Sequence, residues 1–326
     1  MFEVLTPGLE TSVQELPGRI GYWEQGFPPS GPVDTWSFQL ANLLAGNARG
    51  AAALECQFIG PKLLFLRDGY VAITGADMAP LLDDAPIAQW RTHRIRAGQS
   101  LTLGHARAGA RTYIAFGGGI DTLPVLGSRA TFHMAGVGGV DGYALQAGQT
   151  IAVGEQAAEQ PLRAVPEPAR PPIATDEQHV VECMLGPNDD WLDADGIETF
   201  LSAAWKVQAR SNRTGLRLTG PALSFSPRAL EKRPEHGSDP SNILDHGYPL
   251  GAINLAGETP IILLNDAPST GGFINPFTVP SAAFWKLGQA RPNDVLRFSL
   301  VSMAEANALR RDLDRKCSAA LLVPVA

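Results

Sequence analysis

Short apolar runs bounded by Gly, Pro, Asn or Asp recur along both halves of the chain. Runs of about four to eight such residues are typical of β-strands that pack against a core. In the first half they read LLFLRDGYVAITG, SLTLG and RTYIAFGGG, and in the second half VVECMLG, GLRLTG, TPIILLND and VLRFSLV. The pattern predicts a mostly β fold in both halves, with few short helices.

One segment of the first half has the spacing of an amphipathic helix instead. Its apolar side chains fall at i, i+4, i+7 and i+8, the positions that share one helical face; they are Trp36, Leu40, Leu43 and Leu44. Asp34 precedes them as an N-cap, because its carboxylate can accept hydrogen bonds from the free N–H groups of a first turn. Gly46 follows them as a helix stop.

Two further helices are predicted in the second half. The first covers roughly residues 190–204. The second begins near Ser302, where Ser302 and Glu305 have the spacing of a capping box, and continues through a charged run to Lys316. We expect this last helix to pack on the fold or to cover it as a lid, and not to form a site.

A Pro-rich stretch divides the chain into near-equal halves. The segment EQAAEQPLRAVPEPARPPIATDEQ holds five prolines, which leave little room for a helix or a central strand. We therefore predict a first β-barrel domain at residues 1–155, an extended linker at 156–178, and a second β-barrel domain with a C-terminal helix at 179–326. GPKLLF at 60–65 and GPALSF at 220–225 each follow a β-like run, which leaves open whether the halves are duplicates.

Composition and charge exclude several classes of function. The hydrophobic fraction of 44% and the charged fraction of 18% are ordinary for a globular protein with a sizeable core. A net charge of −7, without a basic stripe, gives no reason to bind nucleic acid or an anionic membrane. The first residues have no signal-peptide pattern, and the three cysteines have neither disulfide nor zinc spacing. We expect a cytoplasmic protein.

The usual catalytic signatures are absent from the sequence. It contains no GxSxG elbow, no Walker loop, no HExxH and no CxxC. GGG at 117–119 follows a predicted strand, but such a run more often lets two backbones approach closely than it binds a nucleotide. No second histidine has a ligand spacing that would predict a metal site.

Two clusters of polar residues could carry chemistry or could be plain turns. The first lies in the loop GYWEQGFPPSGPVD and the helix after it, and comprises Tyr22, Trp23, Ser30, Asp34 and Asn42. The alternative is a turn followed by an N-cap. The second is Ser211-Asn212-Arg213-Thr214-Gly215, in which the guanidinium of Arg213 could bind a carboxylate. The alternative there is an Asx-type turn with a surface arginine.

The third and densest cluster lies in HGSDPSNILDHGY and NDAPSTGGF. It brings together His236, Asp239, Asn242, Asp245, His246, Asp266, Ser269 and Thr270, with Gly271 and Gly272 allowing close backbone approach. Asp245 beside His246 could supply a general base with a neighbour that tunes it. Adjacent residues on a strand point to opposite faces, however, so the two need not act together. So much polar functionality exceeds what turns require, and we favour a functional site here.

Taken together, these segments resemble the allophanate-hydrolase-subunit-2-like family. The resemblance covers nearly all of residues 3–300, and its motifs follow one another in order: GYWEQGFPPSGPVD, ANLLAGN, ALECQFIGPKLLF, TGADM, GGGIDTLPVLGSRATF, AWKVQARSNRTGLRLTGP, SDPSNILDHGYPLGAIN, NDAPSTGGF and WKLGQARPNDVLRF. The family includes the carboxyltransferase part of urea carboxylase and a subunit of bacterial 5-oxoprolinase. The wording of the motifs is more similar to urea carboxylase; 5-oxoprolinase subunits more often have Gln where Asn254 stands.

The resemblance implies a fold, a cofactor and partners. The fold it implies is a pair of cyclophilin-like β-barrels. The cofactor is carboxybiotin presented by a separate carrier protein, because the sequence has no Met-Lys-Met-type attachment segment and no ATP-grasp signature. The implied partners are an allophanate hydrolase subunit 1-like protein, a biotin carboxylase and a biotin carrier protein. The chain is then expected to be one subunit of a complex that acts on a urea-like or amide compound.

The chemistry of carboxyl transfer assigns expected roles to the candidate residues. Negative charge left on the ureido oxygen needs fixed donors in a dry pocket. Suitable donors are Asn42, Asn212, Arg213 and the backbone N–H groups near Gly271 and Gly272. Tyr22, Ser30, Asn254, Ser269 and Thr270 are further expected binding residues, and Asp34, Asp245, His246 and Asp266 are the expected catalytic ones. In this hypothesis the stiff opening loop presents Ser30 and Asp34 to a pocket.

Two other functions stay open at the level of sequence. Relatives of the 5-oxoprolinase type imply a subunit that opens a lactam or amide without biotin. Other relatives imply a regulator that pairs with a subunit 1-like protein to inhibit a sporulation kinase. Asp34, Asn212, Arg213 and Asp266 are all present, which favours an enzyme component.

Overall fold

The computed structural model describes residues 1–157, 159–173 and 178–325, and its backbone contacts group the chain into two compact units. The first unit comprises Met1–Gly21, Pro29–Thr175 and Asp312–Ala326. The second comprises Tyr22–Pro28 and Asp176–Arg311. No helix among the described residues combines the length and the apolar character that crossing a membrane requires.

The first unit is built from two antiparallel sheets. Its strands are β1 (Phe2–Thr6), β2 (Glu10–Gln14), β3 (Ala53–Gln57), β4 (Lys62–Phe65), β5 (Gly69–Asp77), β6 (Leu81–Leu82), β7 (Ala85–Pro86), β8 (Thr92–Ile95), β9 (Ser100–Thr102), β10 (Ala108–Phe116), β11 (Thr150–Ile151), β12 (Arg163–Ala164) and, from the chain end, β22 (Val323–Pro324). One sheet has the order β11-β1-β4-β9-β6-β7 and the other β2-β3-β10-β5-β8. Their shared apolar cluster includes Phe2 and Phe65 from the first sheet and Leu54 and Ile114 from the second, so the sheets pack face to face.

Helix α1 (Thr35–Leu44) packs on the five-stranded sheet. Asp34 caps it, and Gly46 follows its end with a positive φ of 79°, so both predicted helix signals are confirmed. The helix is buried on more than the predicted face, since Phe38 and Asn42 are also fully buried. Because α1 is buried on several faces, the spacing of its apolar residues predicts only some of its buried side chains.

The second unit contains a closed barrel. Its strands are β13 (Gln178–Leu185), β14 (Trp205–Val207), β15 (Gly215–Thr219), β16 (Asn242–Gly247), β17 (Ala252–Ala256), β18 (Thr259–Leu263), β19 (Thr270–Phe273), β20 (Phe277–Thr278) and β21 (Val295–Leu300). The helices are α2 (Ala194–Ser202), α3 (Pro227–Leu230), α4 (Phe284–Gln289) and α5 (Met303–Lys316), whose last residues belong to the first unit. The barrel order is β13-β20-β17-β18-β15-β14-β21, closed by the parallel pair of β13 and β21.

An aromatic stack fills part of this second unit. Phe200 of α2 stacks on Phe277 at 4.1 Å and on Phe298 at 4.6 Å between ring centroids. Trp205 lies 5.4 Å from the same ring and donates its indole N–H to the Phe200 carbonyl at 2.9 Å. These contacts hold α2 against the barrel. Helix α2 is the helix that the sequence predicted over roughly residues 190–204.

The mostly β fold with few short helices is confirmed, and the second unit is a barrel as expected. In the first unit the described strands form two larger sheets and the separate β12–β22 pair, and these described strands form no closed barrel. The capping box of α5 is also confirmed, because the Ser302 hydroxyl and Glu305 exchange hydrogen bonds at 2.8 and 3.3 Å.

The Pro-rich segment is not only an extended connection. β12 pairs with β22, and Val165 is fully buried in the first unit. Residues 158 and 174–177 of the predicted linker lie outside the described residues. The two Gly-Pro segments also differ, since 62–65 forms β4 whereas 220–225 makes only an isolated bridge between Leu192 and Phe225.

Candidate functional site

A two-stranded ribbon of β16 and β19 in the second unit gathers most of the third sequence cluster. The register pairs Asn242 with Phe273 and His246 with Gly271. Residues 243–245 therefore face Gly272 alone, which makes a bulge in β16. Bulges redirect side chains and are frequent beside active sites.

Both glycines of the ribbon are needed for close approach, as the sequence predicted. A Cβ on Gly272 would lie 3.0 Å from the Ile243 carbonyl oxygen and 3.1 Å from an Asp245 carboxylate oxygen. A Cβ on Gly271 would lie 2.6 Å from the ring and from the hydroxyl oxygen of Tyr248. The bulge thus places Asp245 over one glycine and Tyr248 over the other.

A cavity of about 690 Å³ opens beside this ribbon, wholly within the second unit. Its lining residues are Trp23, Glu24, Gln25, Gly26, Gly247, Tyr248, Pro249, Ser269 and Thr270. Trp23, Tyr248 and Pro249 contribute aromatic and proline side chains to the wall, and Ser269 and Thr270 contribute neutral polar side chains. Glu24, which is exposed, is the one lining residue with a formal charge. Such a mixture of apolar walls and few polar groups is typical of sites for small molecules.

Tyr248 is the most constrained of the lining side chains. It is 4% exposed, and its hydroxyl oxygen accepts the Phe273 backbone N–H at 2.7 Å. The Asn254 side-chain amide lies close to this hydroxyl, and the His246 ring meets the Tyr248 ring edge-on at 5.2 Å. Burial raises the pKa of Tyr248, and the nearby Asp245 carboxylate raises it further, while the hydrogen bonds from Phe273 and Asn254 oppose this shift. The phenol therefore stays protonated at neutral pH.

Arg213 and Asp266 form a buried ion pair in the same unit. Nε of Arg213 lies 2.8 Å from Oδ2 of Asp266, Nη2 lies 3.3 Å from Oδ1, and both side chains are 4% exposed. The alternative of a surface arginine does not hold, because the guanidinium of Arg213 binds an internal carboxylate. Asn212 forms the Asx turn of that alternative, its side-chain oxygen accepting the Thr214 N–H at 2.9 Å, and the expected binding roles of both residues stay predictions.

Asp34 and Ser30 do not line this cavity, and the hypothesis that the opening loop presents them to a pocket stays a prediction. Both belong to the first unit, with exposed fractions of 0% for Asp34 and 3% for Ser30. The Asp34 carboxylate accepts the Ser37 N–H at 2.9 Å and the Ser37 hydroxyl at 2.5 Å. Its backbone N–H donates to the Tyr113 hydroxyl at 2.9 Å, which in turn donates to Glu55 at 2.8 Å. This network accounts for Asp34 as a cap, and its catalytic role stays a prediction.

Asn42 is likewise buried in the first unit. Its amide donates to the Ala51 carbonyl at 2.9 Å, and its oxygen accepts the Asn47 amide at 2.9 Å. Tyr22 lies in the second unit, where its carbonyl accepts the backbone N–H groups of Gln25 and Phe27. Their expected binding roles stay predictions, but the Asn42 amide already has partners.

The remaining polar residues of the third cluster shape turns around the ribbon. Asp239 accepts the Ser241 hydroxyl at 2.7 Å and the Ser241 N–H at 2.9 Å, and these bonds lower the pKa of Asp239. Nδ1 of His236 accepts the Leu244 N–H at 3.3 Å, and Nε2 of His246 lies 3.0 Å from the Phe273 carbonyl oxygen. Asp245 keeps an exposed carboxylate at the bulge.

Comparison with known proteins defines the family. Residues 25–300 match the family described as Carboxyltransferase domain, subdomain A and B. The chain belongs to this carboxyltransferase family. Its members named below are enzymes or enzyme components, which agrees with the resemblance seen in the motifs.

Similar members of the family occur as parts of long proteins and as a protein of this size. The urea amidolyase of Lachancea kluyveri is 39% identical over 323 residues, which cover 96% of this chain and 18% of that protein. A 5-oxoprolinase subunit of Escherichia coli K12 is 30% identical over 325 residues, which cover 97% of this chain and 96% of that protein. The chain thus spans about a fifth of the urea amidolyase that it matches.

Solved structures of the family agree with this fold. The crystal structure of the Kluyveromyces lactis urea carboxylase superposes with a TM-score of 0.92 at 38% identity. The match covers 100% of this chain and 30% of that one. The mostly β architecture described here is therefore the architecture of a carboxyltransferase domain.

Sequence reasoning missed Tyr248 as a site residue in this family member. The sequence held a signal for this residue. Tyr248 ends the segment HGSDPSNILDHGY and lies two residues after His246. Side chains two apart on an extended segment share a face, and these two rings are in contact. Trp23 was part of the first cluster. The sequence does not show that residues 22–28 belong to the second unit while the residues on either side belong to the first.

Proposed function

We propose that this chain is the carboxyltransferase-type subunit of a biotin-dependent enzyme, which moves a carboxyl group from carboxybiotin to a nitrogen of a neutral urea-like compound. Membership of the carboxyltransferase family supports the reaction class. The observation that carries the proposal is the cavity beside the β16–β19 ribbon, which is lined by the aromatic residues Trp23 and Tyr248 and by Ser269 and Thr270. An allophanate hydrolase subunit 1-like protein, a biotin carboxylase and a biotin carrier protein are the proposed partners.

The residues around the cavity fit a biotin ring by their chemistry. Trp23, Tyr248 and Pro249 offer apolar surface to a flat bicyclic group, and Ser269 and Thr270 offer hydroxyls to a ureido group. The buried indole N–H of Trp23 has no hydrogen-bond partner in the described part of the chain, so one donor at this wall is left over. When bound, carboxybiotin supplies the carboxyl group and its ureido oxygen gains negative charge as that group leaves.

The chain's own residues would stabilise that charge and accept a proton. Fixed hydroxyl donors in a cavity of low polarity are stronger than the same groups in water. Asp245 is the better placed base, because its carboxylate is exposed at the bulge. Asp266 is less suitable, because Arg213 binds both of its oxygens.

The charge of the lining favours a neutral acceptor. An acceptor with a carboxylate of its own would add a second negative charge to that of carboxybiotin, and none of the described lining residues is Lys or Arg. The guanidinium of Arg213 is bound to Asp266. Urea and related neutral amides add no charge to a lining of apolar surface, hydroxyl-bearing side chains, Gln25 and the exposed Glu24.

A second candidate function is the opening of a lactam without biotin. The observation in its favour is the match to the E. coli 5-oxoprolinase subunit. The match covers 96% of that protein and 97% of this chain, so the two chains are similar in length. In that case the same cavity would hold a cyclic amide and its carbonyl oxygen, and a subunit 1-like partner would still be required.

The test is an assay of label transfer with the chain and the proteins that co-purify with it from its native cell. With ATP and 14C-bicarbonate, we expect labelled carboxyl to reach urea, and avidin to abolish the transfer. The double variant Ser269→Ala/Thr270→Val should lower this transfer, whereas Ser281→Ala, an exposed serine outside the cavity, should not. ATP-dependent formation of glutamate from 5-oxoproline that avidin leaves unchanged would overturn the proposal in favour of the second candidate.

A further inference from the structure

We infer that Tyr248 is a catalytic residue of this site, and that its phenol O–H donates a hydrogen bond to the oxygen on which negative charge develops during carboxyl transfer. This inference rests on the proposed function and assigns the donor within it. Neither the sequence motifs nor the family match singles out this hydroxyl.

The hydrogen bonds at Tyr248 carry the argument. A phenol oxygen can accept two hydrogen bonds and donate one. Here the Phe273 N–H donates to it at 2.7 Å and occupies one acceptor position. The Asn254 side chain lies close to the same hydroxyl, and its buried Oδ1 has no hydrogen-bond partner within the described residues. No side chain or backbone group of the described residues accepts the hydroxyl hydrogen, which is therefore left to donate elsewhere.

Tyr113 of the first unit provides an internal comparison. Its hydroxyl accepts the Asp34 N–H at 2.9 Å and donates to the Glu55 carboxylate at 2.8 Å, so its donor and an acceptor position are both used inside the protein. It is fully buried. Tyr248 is also buried, but it differs in its hydrogen bonding and its place: it is among the residues that line the cavity, and no acceptor for its hydrogen lies within the described residues.

The ring of Tyr248 is also held in place, which a donor to a developing charge requires. Gly271 lies so close that a Cβ there would be 2.6 Å from the hydroxyl oxygen, and His246 packs edge-on at 5.2 Å. A donor fixed before the reaction needs no reorganisation as the charge forms. Burial and Asp245 raise the pKa of Tyr248, so the phenol keeps its proton through the neutral range.

The first experiment compares Tyr248→Phe with the wild-type chain in the assembled complex, measuring kcat and KM for urea and the melting temperature. Loss of one donor to an oxyanion lowers kcat by roughly 10²–10³-fold. We expect that loss with a KM changed by less than about threefold, because the ring and cavity walls remain. Tyr143→Phe, at a tyrosine 54% exposed in the first unit, is the matched control and should keep wild-type kinetics.

A second measurement separates donation from folding. Replacing Tyr248 by 3,5-difluorotyrosine keeps its shape and makes its phenol more acidic. If the phenol must carry its proton, the alkaline fall of kcat moves to lower pH in the substituted enzyme, a change that a purely structural tyrosine would not produce.

The outcomes separate the two claims. Wild-type transfer together with full kcat in Tyr248→Phe, and an unmoved alkaline limb, would overturn the role of Tyr248 alone. That result would mean that the phenol hydrogen of Tyr248 makes no hydrogen bond that strengthens during carboxyl transfer. Absence of transfer by the wild-type complex would overturn the proposed function, and the inference with it.

Discussion

The carboxylate of Asp34 binds the first turn of α1 through both of its oxygens, so we expect its removal to act first on stability. Loss of an N-cap costs about 1 kcal/mol of unfolding free energy, with a range of roughly 0.5–2. Asp34→Ala should lose about this amount in urea denaturation, and Asp34→Ser should recover much of it. Glu198→Ala, at an exposed helical carboxylate, is the control. If Asp34→Ala kept the wild-type free energy of unfolding but lost carboxyl transfer, the result would support the predicted catalytic role of Asp34 instead.

The ion pair of Arg213 and Asp266 should be the most sensitive polar contact of the second unit. Removing one partner of a buried pair leaves a charge without compensation and costs about 3–5 kcal/mol. Arg213→Met should therefore destabilise strongly, and adding Asp266→Leu to it should recover part of the loss. A double-mutant cycle in urea denaturation checks this. A loss in the double variant equal to the sum of the losses in Arg213→Met and Asp266→Leu would show that the two side chains are not coupled.

The β16–β19 ribbon positions the site at the scale of secondary structure. Its bulge brings Asp245 over Gly272 and leaves no room for a side chain there. Gly272→Ala should displace the bulge by a few tenths of an ångström and lower carboxyl transfer more than it lowers the melting temperature. Gly104→Ala is the matched control, because a Cβ there would meet only the Met78 carbonyl oxygen at 3.5 Å. Wild-type kinetics in Gly272→Ala would contradict the role given to the bulge.

The strands were largely predictable because each is a short apolar run with its own turn residues, as in β5, β10 and β18. Helix α1 was predictable because its cap and stop signals are local. The β12–β22 pair was not, since it joins segments more than a hundred residues apart in sequence. The pairing of Arg213 with Asp266 spans 53 positions, and sequence could supply the two residues but not their contact. The sequence also could not show that the chain passes between units at residues 21–29, so that Ser30 and Asp34 belong to the first unit and the cavity to the second.

At the scale of the whole molecule, each unit holds a buried thiol that couples folding to alkaline pH. Burial raises the pKa of Cys56 in the first unit and of Cys183 in the second from their ordinary value of 9.0 to about 12. A raised folded pKa means that stability is fully present below about pH 9 and falls as pH rises toward 12. Each thiol should contribute a slope of about 1.4 kcal/mol per pH unit in that window.

Urea denaturation between pH 8 and pH 11 measures this coupling. Cys56→Ala and Cys183→Ala should each flatten the decline of the unfolding free energy, although each also leaves a small cavity that lowers stability at every pH. Comparing slopes instead of absolute values removes the cavity contribution. Variants with the wild-type slope would show that these thiols do not couple folding to pH.

The proposed carboxyl transfer depends on the cavity of the second unit, and one measurement addresses it directly. The complex purified with this chain is supplied with ATP, 14C-bicarbonate and urea, and the labelled product is counted with and without avidin. The account predicts labelled carboxyl on urea that avidin abolishes and that falls sharply in Tyr248→Phe. Label that never leaves the carrier protein in the presence of urea would contradict it.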